Sequence, residues 1–342
     1  MARIERDLGH SGSTEERPAV LEDGLPGDLL DLLCCPRDRT APLQRDEEQL
    51  LCPTCGTAFP IRDGIVSFLP AQELSEQEQR ERSMRDEESV WYDPMFEGYT
   101  NAVEVPAAVR RVGRPSGPIL DAGCGTGRIT EGLVPLGLPI IAVDYSEACL
   151  RRMLTRTAGA QVLAVQSDLR CLPIRDGVMG AATCIEVYSQ FRSGDRPLVL
   201  AELARVLDPG GHLSISGFNY NLLFRLWHMR GNEGAREGEH MLGGDYYYFR
   251  FRNAEFRREL EAEFEVEELT GIRNIPARSI AQGLRRARLG AVGDRFLRYM
   301  VERGHTADFL IERTPIAGLI GFFWQARCRP RRAARRSSTG GG

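Results

Sequence analysis

The sequence predicts an α/β fold: a seven-stranded, mostly parallel sheet with flanking helices, preceded by a small β-rich module. Short apolar runs alternate with segments of helical periodicity over most of the chain, which is typical of βαβ units. Cysteines cluster near the amino-terminal end, and a polar stretch separates them from the long region. The chain has 342 residues, 42% hydrophobic and 27% charged, with a net charge of -4. This composition is that of an ordinary globular protein and does not indicate a nucleic-acid binder.

Composition divides the chain into five segments. Residues 1–27 are polar and predicted to be disordered, and residues 28–70 form the cysteine-containing module. Residues 71–90, rich in Glu, Gln and Arg, are a predicted linker, residues 91–329 the α/β domain, and residues 330–342 a disordered basic tail. The first segment lacks the apolar run of a secretory signal, and no apolar stretch reaches the ~20 residues that span a bilayer. We therefore expect a cytoplasmic protein without a membrane span.

Seven apolar runs in the long domain are predicted strands, at residues 118–121, 139–143, 161–165, 181–185, 211–215, 264–269 and 319–326. Helices are predicted between them, for example over 195–207, where Leu and Val recur at the helical period. Residues 271–318 form a predicted helical insertion. Its arginines, Arg285, Arg286 and Arg288, either meet an anionic substrate or lie on a solvated helix face.

The first strand of the domain leads into a glycine-rich loop, Asp121-Ala-Gly-Cys-Gly-Thr-Gly127, and then into a helix. Alternate glycines permit positive φ angles and a close approach of the backbone to a ligand. The spacing differs from the Gly-x-Gly-x-x-Gly of dinucleotide sites, and the loop lacks the Gly-Lys-Ser/Thr ending of phosphate loops. The loop therefore predicts a nucleoside-like ligand with a phosphate-free body and an amino-acid tail.

Two further carboxylates follow the next two strands. Asp144 ends the second strand, where it can accept both hydroxyls of a ribose, and Asp168 follows the third, where it can accept an adenine amino hydrogen. The carboxyl ends of parallel strands meet at one edge of the sheet, so both are expected beside the glycine loop.

These motifs, together with Leu203-Ala-Arg-Val-Leu-Asp-Pro-Gly-Gly-His212, resemble those of class I S-adenosylmethionine-dependent methyltransferases. The resemblance implies a Rossmann-like sheet with a final antiparallel strand and S-adenosyl-L-methionine as cofactor. It implies that the loop holds the methionine part, Asp144 the ribose and Asp168 the adenine, with Tyr145 lining the adenine pocket. The predicted cofactor-binding set is Asp121, Gly123, Gly125, Gly127, Asp144, Tyr145, Asp168, Leu169 and Glu186.

Methyl transfer from a sulfonium needs mainly correct positioning, so a catalytic base is optional. Related small-molecule methyltransferases often carry a Glu-His pair where this chain has Ser189-Gln190, which argues against a histidine base there. The candidate catalytic residues are Tyr188, Asn219, Tyr220 and His240. The aromatic run at 246–249 is either a substrate lid or an element packed on the core.

The amino-terminal module contains two knuckle-like turns, with Cys35 and Asp38 in one and Cys52 and Cys55 in the other. This spacing is close to that of a four-ligand zinc site, with a carboxylate in the fourth position unless Cys34 takes it by a local shift. Residues 29–69 resemble the small zinc-ribbon-like subunit that activates tRNA and protein methyltransferases. The alternatives to a structural zinc are a metal-free ribbon and a site degraded to packing.

The resemblance leaves several functions open. The first is methyl transfer to a small-molecule acceptor, through oxygen, nitrogen or carbon. The cysteine module suggests an rRNA or tRNA base methyltransferase instead, and a non-catalytic cofactor-binding scaffold is a third class. The loop spacing disfavours an oxidoreductase.

Overall fold

The structure is a computed structural model, and it describes residues 26–46, 48–69, 83, 86, 98–231, 236–239 and 247–331. Most of the predicted terminal segments, most of the predicted linker, and His240 lie outside the described residues. Helix α1 (Gly27–Leu30) is the first described element.

The seven predicted strands of the domain form one sheet. Their order is β7-β6-β5-β8-β9-β13-β12, and all neighbouring pairs are parallel except those made by β13. The strands are β5 (Ile119–Ala122), β6 (Ile140–Asp144), β7 (Val162–Gln166), β8 (Met179–Cys184), β9 (Leu207–Asn219), β12 (Phe264–Ile272) and β13 (Phe323–Pro330). The expected Rossmann-like sheet with a final antiparallel strand is confirmed.

The central strands are largely apolar because helices cover both faces of the sheet, and their polar residues lie toward the carboxyl ends. Every residue of β7 and β8 is buried. Because β5, β6, β7 and β8 are parallel, their carboxyl ends share one edge, and the glycine loop after β5 lies at that edge.

Helices lie between the strands, as the periodicity of the sequence predicts, for example over Arg196–Val206. The insertion at 271–318 is largely helical. A π-helical turn, Met300–Gly304, links two of its helices. The remaining helices are α2 (Tyr99–Val112), α3 (Arg128–Leu133), α4 (Glu147–Arg156), α5 (Arg196–Val206), α6 (Leu222–His228), α7 (Asn253–Leu260), α8 (Ala277–Arg286), α9 (Gly290–Tyr299), α10 (His305–Glu312) and α11 (Ala317–Ile320).

The last predicted strand begins later than expected. Residues 319 and 320 belong to α11, and their side chains are 49% and 40% exposed. Strand β13 starts at Phe323, where the backbone gains a partner on each side, Phe218 of β9 and Ile272 of β12. The prediction that the strand starts at residue 319 is therefore wrong, because residues 319 and 320 lie on the surface of a helix.

The amino-terminal module extends the same sheet. Its strands are β1 (Gln44–Asp46), β2 (Gln49–Leu51), β3 (Ala58–Arg62) and β4 (Ile65–Ser67), joined in antiparallel order. Strand β4 then pairs in parallel with β7 of the long domain, with Val66 opposite Val165. Arg39 of the module also donates to the Leu172 carbonyl at 2.9 Å and pairs with Glu202 at 2.8 Å.

Two short strands complete the sheet beyond β9. Strand β11 (Tyr248–Phe251) pairs in parallel with the end of β9, and β10 (Glu237–Gly238) pairs with β11. Among the described residues, no helix combines the length and the apolar character that crossing a membrane requires.

Candidate functional site

The glycine loop after β5 adopts the backbone conformation that the sequence predicts. Gly123, Gly125 and Gly127 have φ angles of 74°, 53° and 88°. A Cβ at Gly123 would lie 2.4 Å from Val187, and one at Gly127 would lie 2.6 Å from Met153. A Cβ at Gly125 would meet nothing within 4 Å. The outer glycines are thus required for packing, whereas the middle one faces open space at the sheet edge.

Asp144 holds the end of β6 against this loop. One carboxylate oxygen accepts a hydrogen bond from the Gly125 amide at 2.8 Å, and the other accepts one from the Ser146 amide at 2.9 Å. A carboxylate oxygen can accept more than one hydrogen bond, so these contacts are compatible with a ligand hydroxyl at the same side chain. The structure thus brings together two of the predicted cofactor contacts, and Tyr145 follows directly in the chain, half-buried.

Asp121 lies beneath the loop rather than in front of it. Its oxygens accept hydrogen bonds from the Thr130 hydroxyl at 2.6 Å and the Thr183 hydroxyl at 2.7 Å, and burial raises the pKa of the carboxyl. Asp121 therefore ties β5 to β8 and α3, and any effect on a ligand passes through the loop. A direct contact between Asp121 and a cofactor stays a prediction.

Asp168 stands at the carboxyl end of β7, as predicted, and is half-buried. Its side chain accepts from the Arg170 amide at 2.8 Å and from Arg170 Nε at 2.9 Å. Arg170 also pairs with Asp195 at 3.3 Å. The Leu169 side chain between them is buried. Arg170 therefore fixes the orientation of the predicted adenine contact, a role that the sequence alone did not indicate.

Glu186, after β8, belongs to a group of four charged side chains that the sequence does not reveal as a group; three of them are buried and Arg273 is partly exposed. Arg128 contacts Glu186 at 3.0 Å and Glu104 at 2.9 Å, while Arg273 contacts Glu104 at 3.0 Å and Glu186 at 3.7 Å. Burial, followed by repulsion from Glu104, raises the pKa of Glu186 to about 7. Of the four, the sequence predicts only Glu186 as a site residue, because it follows β8; Arg128 stands directly after the last loop glycine but is not in the predicted set. The group provides both charge signs beside the loop.

The candidate catalytic residues are not gathered at one point. The Tyr188 side chain is fully buried and donates to Glu259 at 2.6 Å, so it is held inside the core. Asn219 and Tyr220 are also buried, at the end of β9. Tyr188 therefore has no access to a bound acceptor, whereas Asn219 and Tyr220 lie at the sheet edge.

The described part of the aromatic run at 246–249 belongs in part to a strand. Tyr248 and Phe249 of the aromatic run lie in β11, and the centre of the Phe249 ring is 4.8 Å from that of Phe251. This contact favours the packing interpretation over a lid.

Arg285 in the insertion is exposed and pairs with Asp294 at 2.5 Å, as on a solvated helix face.

The module brings its four predicted metal ligands together. The ligand atoms of Cys35, Asp38, Cys52 and Cys55 all lie within 4.8 Å of one another. The sulfur atoms of Cys35 and Cys55 are 3.7 Å apart, and Cys52 Sγ lies 3.4 Å from an Asp38 oxygen. These separations suit a tetrahedral ion with bonds of roughly 2.0–2.3 Å. Cys34 is buried and is not part of this group, so Asp38 is its fourth member, and metal binding by the four stays a prediction.

Comparison with known proteins supports both parts of the chain. Residues 119–211 match the family described as methyltransferase domain, and residues 28–64 match the Trm112p-like protein family. An uncharacterized methyltransferase of Mycobacterium tuberculosis is 34% identical over 111 residues, 32% of this chain and 41% of the relative. A ubiquinone biosynthesis O-methyltransferase of Xanthomonas campestris is 31% identical over 125 residues, 35% of this chain and 50% of the relative. The chain thus spans half or less of the length of these curated relatives.

One solved structure shares the fold. A chain from the complex between the Haloferax volcanii Trm112 methyltransferase activator and a methyltransferase superposes with a TM-score of 0.50 at 16% identity, covering 74% of this chain and 98% of that one. The protein therefore carries a methyltransferase domain, matched over residues 119–211, joined in one chain to a Trm112p-like domain, matched over residues 28–64.

Proposed function

We propose that this protein transfers a methyl group from S-adenosylmethionine to a small-molecule acceptor. The observation that carries the proposal is the pairing of Asp144 with the Gly125 amide at 2.8 Å, in front of which the loop leaves open space. The absence of a lysine from the loop fits a cofactor without phosphates. The matched methyltransferase domain and the names of the curated relatives support the same activity.

The residues present fit this cofactor. Asp144 would accept from the ribose hydroxyls and Asp168 from the adenine amino group, at the ends of neighbouring strands. Glu186 and Arg128, 3.0 Å apart beside the loop, offer partners for the ammonium and carboxylate of the amino-acid tail. The bound cofactor supplies an electrophilic methyl group. The chain's contribution is to hold that group and the acceptor in line at the sheet edge and to exclude water.

The name of the Xanthomonas relative favours a hydroxyl on a small organic molecule as the acceptor. A second candidate, an RNA base, is favoured by the Trm112p-like domain. Incubating a cell extract with methyl-labelled cofactor and identifying the labelled product by mass spectrometry decides between them. Labelled RNA, together with salt-sensitive RNA binding, would replace the first proposal with the second.

The cofactor site is tested by calorimetry with S-adenosylhomocysteine. We expect the protein to bind it and Asp144→Ala to weaken binding at least tenfold, because both the ribose partner and the hydrogen bond to the loop are lost. Asp294→Ala, which removes a half-exposed carboxylate on α9, is the control and should bind normally. Equal affinity in all three proteins would remove the site from where we place it.

A further inference from the structure

A cavity of about 510 Å³ opens at the carboxyl end of β9. It lies between the loop that follows β9, the start of α7, and α11. Its apolar lining includes Leu269, Leu319 and Trp324, and the Trp324 ring is fixed by a hydrogen bond from its Nε1 to the Phe251 carbonyl at 2.8 Å. The volume is that of a typical small-molecule site. The strands that contribute to its lining are β9, β13 and β12, and β8 alone separates β9 from β5, the strand that leads into the glycine loop.

Two arginines, Arg225 and Arg252, line the cavity and have exposed side chains. Neither makes an ion pair with a carboxylate in the described part of the chain. Glu255, in the first turn of α7, is already paired with Arg236 at 2.5 Å. Glu255 also accepts a hydrogen bond from the Arg252 amide at 3.0 Å, but its ion pair is with Arg236, so two cations beside an apolar wall favour an anionic group on the ligand.

Asn219 contributes a buried polar side chain to the wall of the cavity. Its side-chain amide donates to the Gly318 carbonyl at 3.1 Å and to the Gly321 carbonyl at 2.9 Å, which fixes the orientation of the amide. Its Oδ1 is buried and accepts no hydrogen bond from any described residue. An unsatisfied buried acceptor is costly, so a ligand hydroxyl or amino group that donates to it would be stabilising.

The surface around the cavity is apolar and exposed. On α6, Leu222 and Leu226 are each 44% exposed and Leu223 is 70% exposed. On the opposite side Leu319 and Ile316 are 49% and 56% exposed. Contiguous exposed apolar residues around a cavity indicate a ligand with an extended apolar part.

We propose that this cavity holds the methyl acceptor and that the acceptor is an amphiphilic anion. Its apolar part lies against Trp324 and Leu319, and its anionic group meets Arg225 and Arg252. This inference rests on the proposed function and specifies the class of its substrate.

Calorimetry with three small probes tests the chemistry of the cavity. Decanoate, below its micellar concentration, should bind. Decyltrimethylammonium has the same chain with the opposite charge, and propanoate has the same charge with almost no chain, so each should bind at least tenfold more weakly. The double substitution Arg225→Ala/Arg252→Ala should weaken decanoate binding at least tenfold, whereas Arg298→Ala, which removes an exposed arginine on α9, should not.

Titration of S-adenosylhomocysteine into the same proteins tests the proposed function separately from the proposed cavity ligand. Failure of the unsubstituted protein to bind S-adenosylhomocysteine would sink the proposed function. Normal binding of it, with no decanoate binding or with equal decanoate affinity in the double variant, would overturn the cavity proposal alone. Capture by phosphatidylglycerol vesicles without binding of monomeric decanoate would also overturn it, in favour of a membrane surface. In the extract assay, the labelled product should partition into organic solvent at acidic pH and into water at alkaline pH.

Discussion

At the scale of single residues, Gly125 and Gly127 differ in what a side chain would meet. Both have positive φ, which costs a non-glycine residue roughly 1–2 kcal/mol. A Cβ at Gly127 would also lie 2.9 Å from the Met153 Cα, whereas one at Gly125 meets nothing. We therefore expect Gly125→Val to fold with a modestly lowered Tm and lose affinity for S-adenosylhomocysteine at least tenfold. Gly127→Val should lower the Tm much further. Calorimetric melting and titration of both variants test this expectation. Equal decreases in the Tm of the two variants would contradict it.

Glu186 predicts a dependence of stability on pH. Its pKa is raised from 4.5 to about 7, so the stability contributed by its neutral form is complete below about 4.5 and is lost as the pH rises through about 7. The unsubstituted protein should thus lose Tm, relative to Glu186→Gln, by several degrees between pH 5 and pH 8. Glu302→Gln, an exposed carboxylate, serves as control. A difference in Tm that stays constant over this range would show that Glu186 titrates normally.

The arrangement of the proposed cofactor site is predictable from the sequence where its residues follow strands in order. The glycine loop and Asp144 meet because parallel strands end at one edge, and the alternation of strand and helix is visible in the sequence. The charged group around Glu186 was not predictable. Its members come from α2, α3 and the segments after β8 and β12, and no local pattern records which charges meet across such separations.

At the scale of elements, a similar limit applies to strand pairing. Strands with buried faces are visible as apolar runs, and all seven predicted strands are present, whereas the short strands β10 and β11 are not among those predicted. The start of the last one was misplaced because the apolar residues of α11 face outward, beside the cavity. The pairing of β4 with β7 was not foreseen, because periodicity shows that a segment is a strand and not which edge it joins.

We expect the stability of the module to depend strongly on metal binding by the cluster of Cys35, Asp38, Cys52 and Cys55. Its strands are three to five residues long, too short for a core of their own, so a bound ion would supply much of its folding energy. The purified protein should contain about one zinc per chain by elemental analysis. Cys52→Ser should lower both the zinc content and the Tm, the latter by roughly 5 °C or more. Cys34→Ala, a buried cysteine outside the cluster, should keep its zinc. Absence of zinc from the unsubstituted protein would withdraw the metal.

At the scale of the whole molecule, the module and the methyltransferase domain share one hydrophobic core. Leu33, Phe59 and Val66 of the module are buried in the same cluster as Val165 and Leu203 of the domain. The described part of the module therefore has no core separate from that of the domain, which is what two domains need in order to unfold independently.

This shared core predicts that the two parts unfold as one cooperative unit. Opening β4 from β7 would expose an apolar sheet edge and break the Arg39–Glu202 pair, so the free energy of opening the module alone should approach that of global unfolding. Hydrogen exchange of the full chain measures this directly. Amides of β4 and β7 should exchange with protection factors within about tenfold of each other, and both should lose protection in parallel as denaturant is added. If β4 exchanged orders of magnitude faster than β7 while the metal stayed bound, the sheet edge would be only a docking surface, and the module would open and close over it without unfolding the domain.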